Sequence, residues 1–134
     1  MTTYVDSSAL LKNYFAEPDS SVAERLLGSD PVLVTSWVTL IEVRRNLARE
    51  LRGAELREAK DQFAADLDSM ALVVVDEATC RAAAQIGEQL GVRSLDAIHL
   101  ASAQRLAIPA LPFVTFDLRQ AQAARSLGFT VLGS

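Results

Sequence analysis

The sequence holds a single cysteine, Cys80, and a single histidine, His99. A lone cysteine excludes an intrachain disulfide and fits a reducing, cytoplasmic setting. Ala82, Ala83 and Ala84 follow it closely, so Cys80 is expected to be a small core residue and not a nucleophile. No apolar run approaches the roughly 18–20 residues needed to cross a bilayer, which argues against a membrane protein. The opening Met1-Thr2-Thr3-Tyr4-Val5-Asp6 lacks the basic and apolar regions of a signal peptide and reads directly as a first strand. Repeats, low-complexity tracts and long linkers are absent. Lysine is nearly absent too, at Lys12 and Lys60 only.

Half of the 134 residues are hydrophobic, which supports a substantial core and excludes a disordered chain. At this length about two-thirds of the unfolded chain's surface can be buried, and one domain over 1–134 is expected. The formal net charge of −4 argues against a general nucleic-acid coater. It argues less against a nuclease, whose acidic site subtracts from the sum. With thirteen basic residues and two lysines, eleven are arginine, the side chain best suited to bidentate phosphate contact. Arg44, Arg45, Arg49 and Arg52 follow Glu42 on one expected helix. They read either as a solvated face paired with Glu50 and Glu55 or as a phosphate or acidic-partner contact.

Strand and helix signals alternate. Strands are expected at 2–6, 32–35, 72–75, 113–115 and 130–132. Ser7 or Ser8 caps a helix to about Ala16, with Pro18 beyond it. A helix near 20–28 stops at Gly28, and Ser36 caps one from Trp37 to about Arg52, ended by Gly53. A further amphipathic helix spans 54–68, with Leu56, Phe63 and Leu67 on one side. Asp76 caps a helix to Leu90, terminated by Gly91. Ser94 caps another to about Ala107, and 118–127 closes the series before Gly128. Short, continuously apolar strands alternating with helices imply a parallel sheet covered on both faces.

Four acidic residues stand where apolar runs end or helices begin: Asp6, Glu42, Asp96 and Asp117. In open α/β sheets, ligands bind beyond the carboxyl ends of strands. Carboxylates converging there repel unless protonated or neutralised by cations, so convergence implies a divalent metal. Each has a structural reading as well. Asp6 and Asp117 can cap helices, Asp96 can favour a helix dipole, and Glu42 can pair with Arg44 or Arg45. Asp76 and Glu77 read as a helix start.

At these residues a resemblance becomes specific. Tyr4-Val5-Asp6-Ser7-Ser8-Ala9-Leu10-Leu11 resembles the opening of a PIN domain. Thr39-Leu40-Ile41-Glu42-Val43, Ser94-Leu95-Asp96-Ala97-Ile98-His99-Leu100-Ala101-Ser102-Ala103 and Val114-Thr115-Phe116-Asp117 resemble that family's later acidic motifs, in order and spacing. The style and size are most similar to VapC toxins. The resemblance implies a PIN-like three-layer α/β/α sandwich around a mainly parallel sheet of about four or five strands. It implies a Mg²⁺- or Mn²⁺-dependent endoribonuclease whose ions are held by Asp6, Glu42, Asp96 and Asp117, an RNA substrate, a VapB-like antitoxin and a homodimer.

A metal-activated water needs no histidine base, and chemistry through the 2′-hydroxyl would need a positioned acid–base pair that the chain lacks. The products expected are therefore 5′-phosphate and 3′-hydroxyl ends. Thr115 and Ser7 read as orienting metal-bound water or as a strand-end threonine and a helix cap, and Arg93 as meeting the scissile phosphate or as a solvated surface residue. His99 is expected to pack or to hydrogen-bond behind the site. Trp37 and Phe63 read as core or partner contacts, since aromatic residues are too few for stacking to matter much. Where some PIN proteins carry a further acid, Leu118, Arg119 and Gln120 follow Asp117, so a second ion would be weakly held. The helices at 20–28, 54–68 and 37–52 are candidate antitoxin surfaces. Two other classes stay open: a noncatalytic RNA- or protein-binding PIN-like module, and a receiver-type phosphoryl-transfer domain. The latter normally carries paired acids after the first strand and a late lysine, and neither is present.

Overall fold

A computed structural model of the chain describes residues 1–15, 20–28 and 32–134. The strands are β1 (Thr2–Val5), β2 (Val32–Ser36), β3 (Ala71–Val73), β4 (Pro112–Val114) and β5 (Thr130–Leu132). The helices are α1 (Ser7–Leu11), α2 (Ser20–Leu27), α3 (Val38–Glu50), α4 (Gly53–Asp68), α5 (Glu77–Leu90), α6 (Ser94–Gln104) and α7 (Leu118–Ser126). All strand pairs are parallel, in the order β3-β2-β1-β4-β5. This is the expected α/β sandwich with five strands.

Side-chain alternation along the strands separates two cores. Tyr4 and Phe113 face α5, α6 and α7 together with Ile86, Leu100 and Ala124. Val5 and Val114, one residue on, face α1–α4 together with Leu10, Leu47 and Phe63. Period-two projection from a pleated strand produces this division. It also makes β1 the hub, buried on both faces between β2 and β4.

The chain runs outward from β1 through β2 to β3, crosses, and then runs outward from β4 to β5. The direction reverses between β1 and β4, and a crevice opens beyond the carboxyl ends at such a point. Asp6 N–H donates to Val114 O at 3.2 Å, so the two strands stay paired to the lip of that crevice.

Several boundaries differ from expectation for local reasons. Asp6, and not Ser7 or Ser8, caps α1, which ends at Leu11 and gives way to turns; Ala16 and Pro18 lie outside the described residues. Trp37, in helical conformation, occupies the N-cap of α3, while the Ser36 hydroxyl accepts from Val38 N–H at 3.3 Å. Gly53 does not close α3: that helix ends at Glu50, and Gly53, at φ +59°, begins α4. Strand β3 ends at Val73, two residues early, and α6 ends at Gln104. Arg93, and not Ser94, is the N-cap of α6, without a side-chain cap bond. Asp76 caps α5 as expected, and Gly91 ends it in the left-handed conformation. Cys80 is exposed and not in the core, because α5 turns the stripe of Thr79, Ala83 and Ile86 inward and Cys80 lies beyond the edge of that stripe. Phe63 is in the core and Trp37 is 45% exposed. Among the described residues no helix is long and apolar enough to cross a membrane.

Candidate active site

The four acidic residues reach the crevice from four elements. Asp6 ends β1 and Asp117 precedes α7 after β4, while Glu42 sits early in α3 and Asp96 in the first turn of α6. A cap position explains two of them. Asp6 Oδ1 accepts from Ala9 N–H at 3.1 Å, and Asp117 Oδ1 from Arg119 and Gln120 N–H at 2.9 and 3.2 Å. Capping fixes one oxygen of each carboxylate and leaves the other for the crevice.

A hydroxyl pair joins the two strand-end acids. Ser8 Oγ donates to Asp6 Oδ1 at 2.6 Å and lies 3.3 Å from Thr115 Oγ1. Thr115 Oγ1 accepts from Asp117 N–H at 3.2 Å, and Ser8 Oγ accepts from Phe116 N–H at 3.0 Å. The hydroxyl that touches Asp6 is thus Ser8's, while Ser7 is half-buried at the start of α1. Asp96 and Asp117 meet at Arg93, whose Nε lies 3.2 Å from Asp96 and whose Nη2 lies 3.5 Å from Asp117. Arg93 is 74% exposed, so these pairs are weak and open to displacement. Glu42 pairs with neither Arg44 nor Arg45. Its Oε1 lies 2.7 Å from His99 Nε2, and His99 Nδ1 lies 2.7 Å from the Tyr4 hydroxyl.

The electrostatics are those of buried acids. Burial raises Asp6, which is only 4% exposed, against the lowering effects of nearby His99, Ser8, Thr115 and the Ala9 N–H. Burial also raises Asp96; Arg93 lowers it by hydrogen bond and charge, and the Asp117 carboxylate raises it further. A site that disfavours its own ionised carboxylates is complementary to a cation. Carboxylate and hydroxyl oxygens are the donors that hard divalent ions take. Among the described residues no three acidic, histidine or cysteine side chains already stand as a coordinating cluster.

Beside the acids lies a cleft of about 500 Å³ lined by Arg93, Asp96, Arg119, Gln122 and Ser126. It brings two guanidinium groups to the flank of Asp96. Gln120, fully buried, ties α7 to its neighbour α6 by donating to Asp96 O at 3.0 Å.

Sequence reasoning missed Ser8, Tyr4 and Gln120 as site residues. A polar side chain at an inward strand position, as Tyr4 is, was the available signal for one of them. His99, at i+3 from Asp96, shares its helix face.

A doubly wound parallel sheet with Asp6 and Asp117 at the carboxyl ends of the two strands that flank its reversal point defines a class of acidic-site α/β domains. Within that class the chain matches the model of the PIN domain over residues 3–126, and it belongs to the PIN domain family. It is 36% identical over 129 residues to Ribonuclease VapC46 of Mycobacterium tuberculosis, covering 96% of this chain and 95% of that one. Its fold matches M. tuberculosis VapC20, described as a Sarcin-Ricin loop cleaving toxin, with a TM-score of 0.71 at 21% identity over 100% and 98% of the two chains. VapBC-5 of the same organism, a member of the VapBC family of toxin–antitoxin systems, gives a TM-score of 0.68 at 20% identity over 99% and 98%.

Proposed function

We propose that this protein is a VapC-like ribonuclease, a single PIN domain over 1–134 that hydrolyses RNA phosphodiester bonds with Mg²⁺ or Mn²⁺ and is restrained by a VapB-like antitoxin. The observation that carries the reading is the meeting of Asp6, Asp96 and Asp117 through Ser8, Thr115 and Arg93, with Glu42 behind them on His99. Similarity to VapC46 supplies the substrate class.

In this reading Asp6, Glu42, Asp96 and Asp117 hold the ion, directly or through its waters. When bound, the ion supplies positive charge to the phosphoryl oxygens and acidity to its water. Ser8 holds the Asp6 carboxylate and Thr115 the backbone of Asp117, whose own carboxylate is fixed by its cap bonds. Arg93 exchanges its carboxylate partners for a substrate phosphate, and Arg119 gives the neighbouring phosphate a second guanidinium. Hydrolysis by external water leaves 5′-phosphate and 3′-hydroxyl ends. Homodimerisation is part of the proposal, and light scattering on the chain alone tests it.

Incubation with a panel of structured RNAs, with and without Mg²⁺ or Mn²⁺, tests the reading. Cleavage abolished by chelator and by Asp6→Asn supports it. RNA bound tightly but left intact across the panel overturns it in favour of a noncatalytic module.

A further inference from the structure

The Tyr4–His99–Glu42 chain does more than fill the core. Tyr4 and His99 are 0% and 1% exposed, yet both polar ends are matched, at 2.7 Å each. The Tyr4 ring is held by stacking on Phe113 at 5.1 Å, and Phe113 in turn stacks on Phe129 at 5.5 Å. A carboxylate accepts and cannot donate, so His99 Nε2, 2.7 Å from Glu42 Oε1, carries the proton, and in the neutral ring Nδ1 is then the acceptor for the Tyr4 hydroxyl. The opposite tautomer would set a lone pair against Glu42 Oε1.

We propose that Tyr4 and His99 are positioning residues: the Tyr4 hydroxyl selects the Nε2–H tautomer of His99, and that N–H holds the Glu42 carboxylate in the orientation in which its second oxygen serves the cation. This rests on the ribonuclease reading for the role of Glu42. The geometry is that of an outer hydrogen bond that orients a ligating carboxylate, and loss of such a bond typically costs roughly 10–100-fold in metal affinity or activity. Tyr4, lying on β1, couples the centre of the sheet to a ligand on α3 through a ring on α6.

His99 is the only histidine in the chain, so one pair of imidazole nitrogen resonances reports the tautomer without assignment. The experiment uses ¹⁵N-histidine-labelled full-length protein in alkaline buffer, as wild type, Tyr4→Phe, His99→Gln and the double variant. Mn²⁺ affinity by electron paramagnetic resonance and RNA cleavage are measured on the same samples. Tyr4→Phe keeps the ring and its packing, and circular dichroism verifies the fold.

The expected wild-type spectrum is the Nε2–H form, with Tyr4→Phe giving a tautomer mixture and Mn²⁺ binding weaker by about tenfold. The amide of His99→Gln donates without a tautomer to select, so Tyr4→Phe should change Mn²⁺ affinity less than about twofold in that background, the non-additivity of residues acting through one another. An Nδ1–H wild type, an unchanged tautomer in Tyr4→Phe, or equal Mn²⁺ losses in both backgrounds overturns the proposal. Intact RNA with these Mn²⁺ effects present overturns the ribonuclease reading alone. Metal-dependent cleavage without them overturns the relay alone, and absence of Mn²⁺ binding overturns both.

Discussion

Removing the charge of Asp6 should make the metal-free protein more stable while abolishing its activity. The side chain is 4% exposed and burial raises its carboxyl, so ionisation works against the fold. Asn retains the acceptor for Ala9 N–H and for the Ser8 hydroxyl, and it caps a helix about as well as Asp does. What is lost is an unfavourable buried charge, and relief of such a defect typically yields about 0.5–2 kcal/mol. For a chain of this size 1 kcal/mol corresponds to about 3–4 °C in Tm, so Asp6→Asn in EDTA near neutral pH should melt roughly 2–8 °C above wild type.

The pH dependence has a fixed sign. A carboxyl raised in the folded state favours folding by its protonated form, an advantage complete below the unfolded value of 3.8 and lost as pH rises through the folded value. The gap between variant and wild type should therefore be absent in strong acid, open as pH rises past 3.8, and stay open. Differential scanning fluorimetry across pH measures it, and millimolar Mn²⁺ should narrow it by stabilising wild type alone. A variant less stable than wild type at neutral pH, or a gap widening toward acid, would refute the reasoning.

Other outcomes follow from the same contacts. Arg119→Ala should raise KM for RNA several-fold and flatten its salt dependence, with Tm within about 2 °C because an exposed arginine adds little stability; fluorescence-monitored cleavage at several salt concentrations checks this. Phe113→Ala, which removes a fully buried ring packed between Tyr4 and Phe129, should cost about 3–5 kcal/mol in chemical denaturation. Asp76 is held at about 2 by the Thr79 N–H first, then by Arg105 and the Thr79 hydroxyl. Its contribution is present above 3.8 and lost as pH falls toward 2, so Asp76→Ala should lose stability at neutral pH and converge with wild type in strong acid. Gly133 has φ +95° and an added Cβ would stand 2.7 Å from Thr115 O, so Gly133→Ala should cost about 1–3 kcal/mol and lower cleavage by shifting Thr115.

Fold class and strand count were legible because the short apolar runs are parallel strands, buried at the centre of the sheet and half-exposed at its edges, and the amphipathic stretches are covering helices. The positions of Asp6 and Asp117 were legible because a carboxylate just past an apolar run lies at a strand's carboxyl end. Partnerships were not. Glu42 has two arginines nearby in sequence, yet its contact is His99, 57 residues away and on another layer. Ser7 and Ser8 are indistinguishable in composition, and only the turn after β1 decides which hydroxyl meets Asp6. Cys80 misled because a run of alanines on a helix covers more than one face.

The place of β1 at the middle of the sheet has a consequence for synthesis on the ribosome. Asp6 leaves the exit tunnel well before the strand that completes its surroundings and before the hydroxyl of Thr115, 107 positions from Ser8. A partly translated chain holds the first acid without the last. On the ribonuclease reading, a nascent chain stays harmless to the RNA of the machine producing it until β4 and the cap formed by Asp117 have emerged to fold.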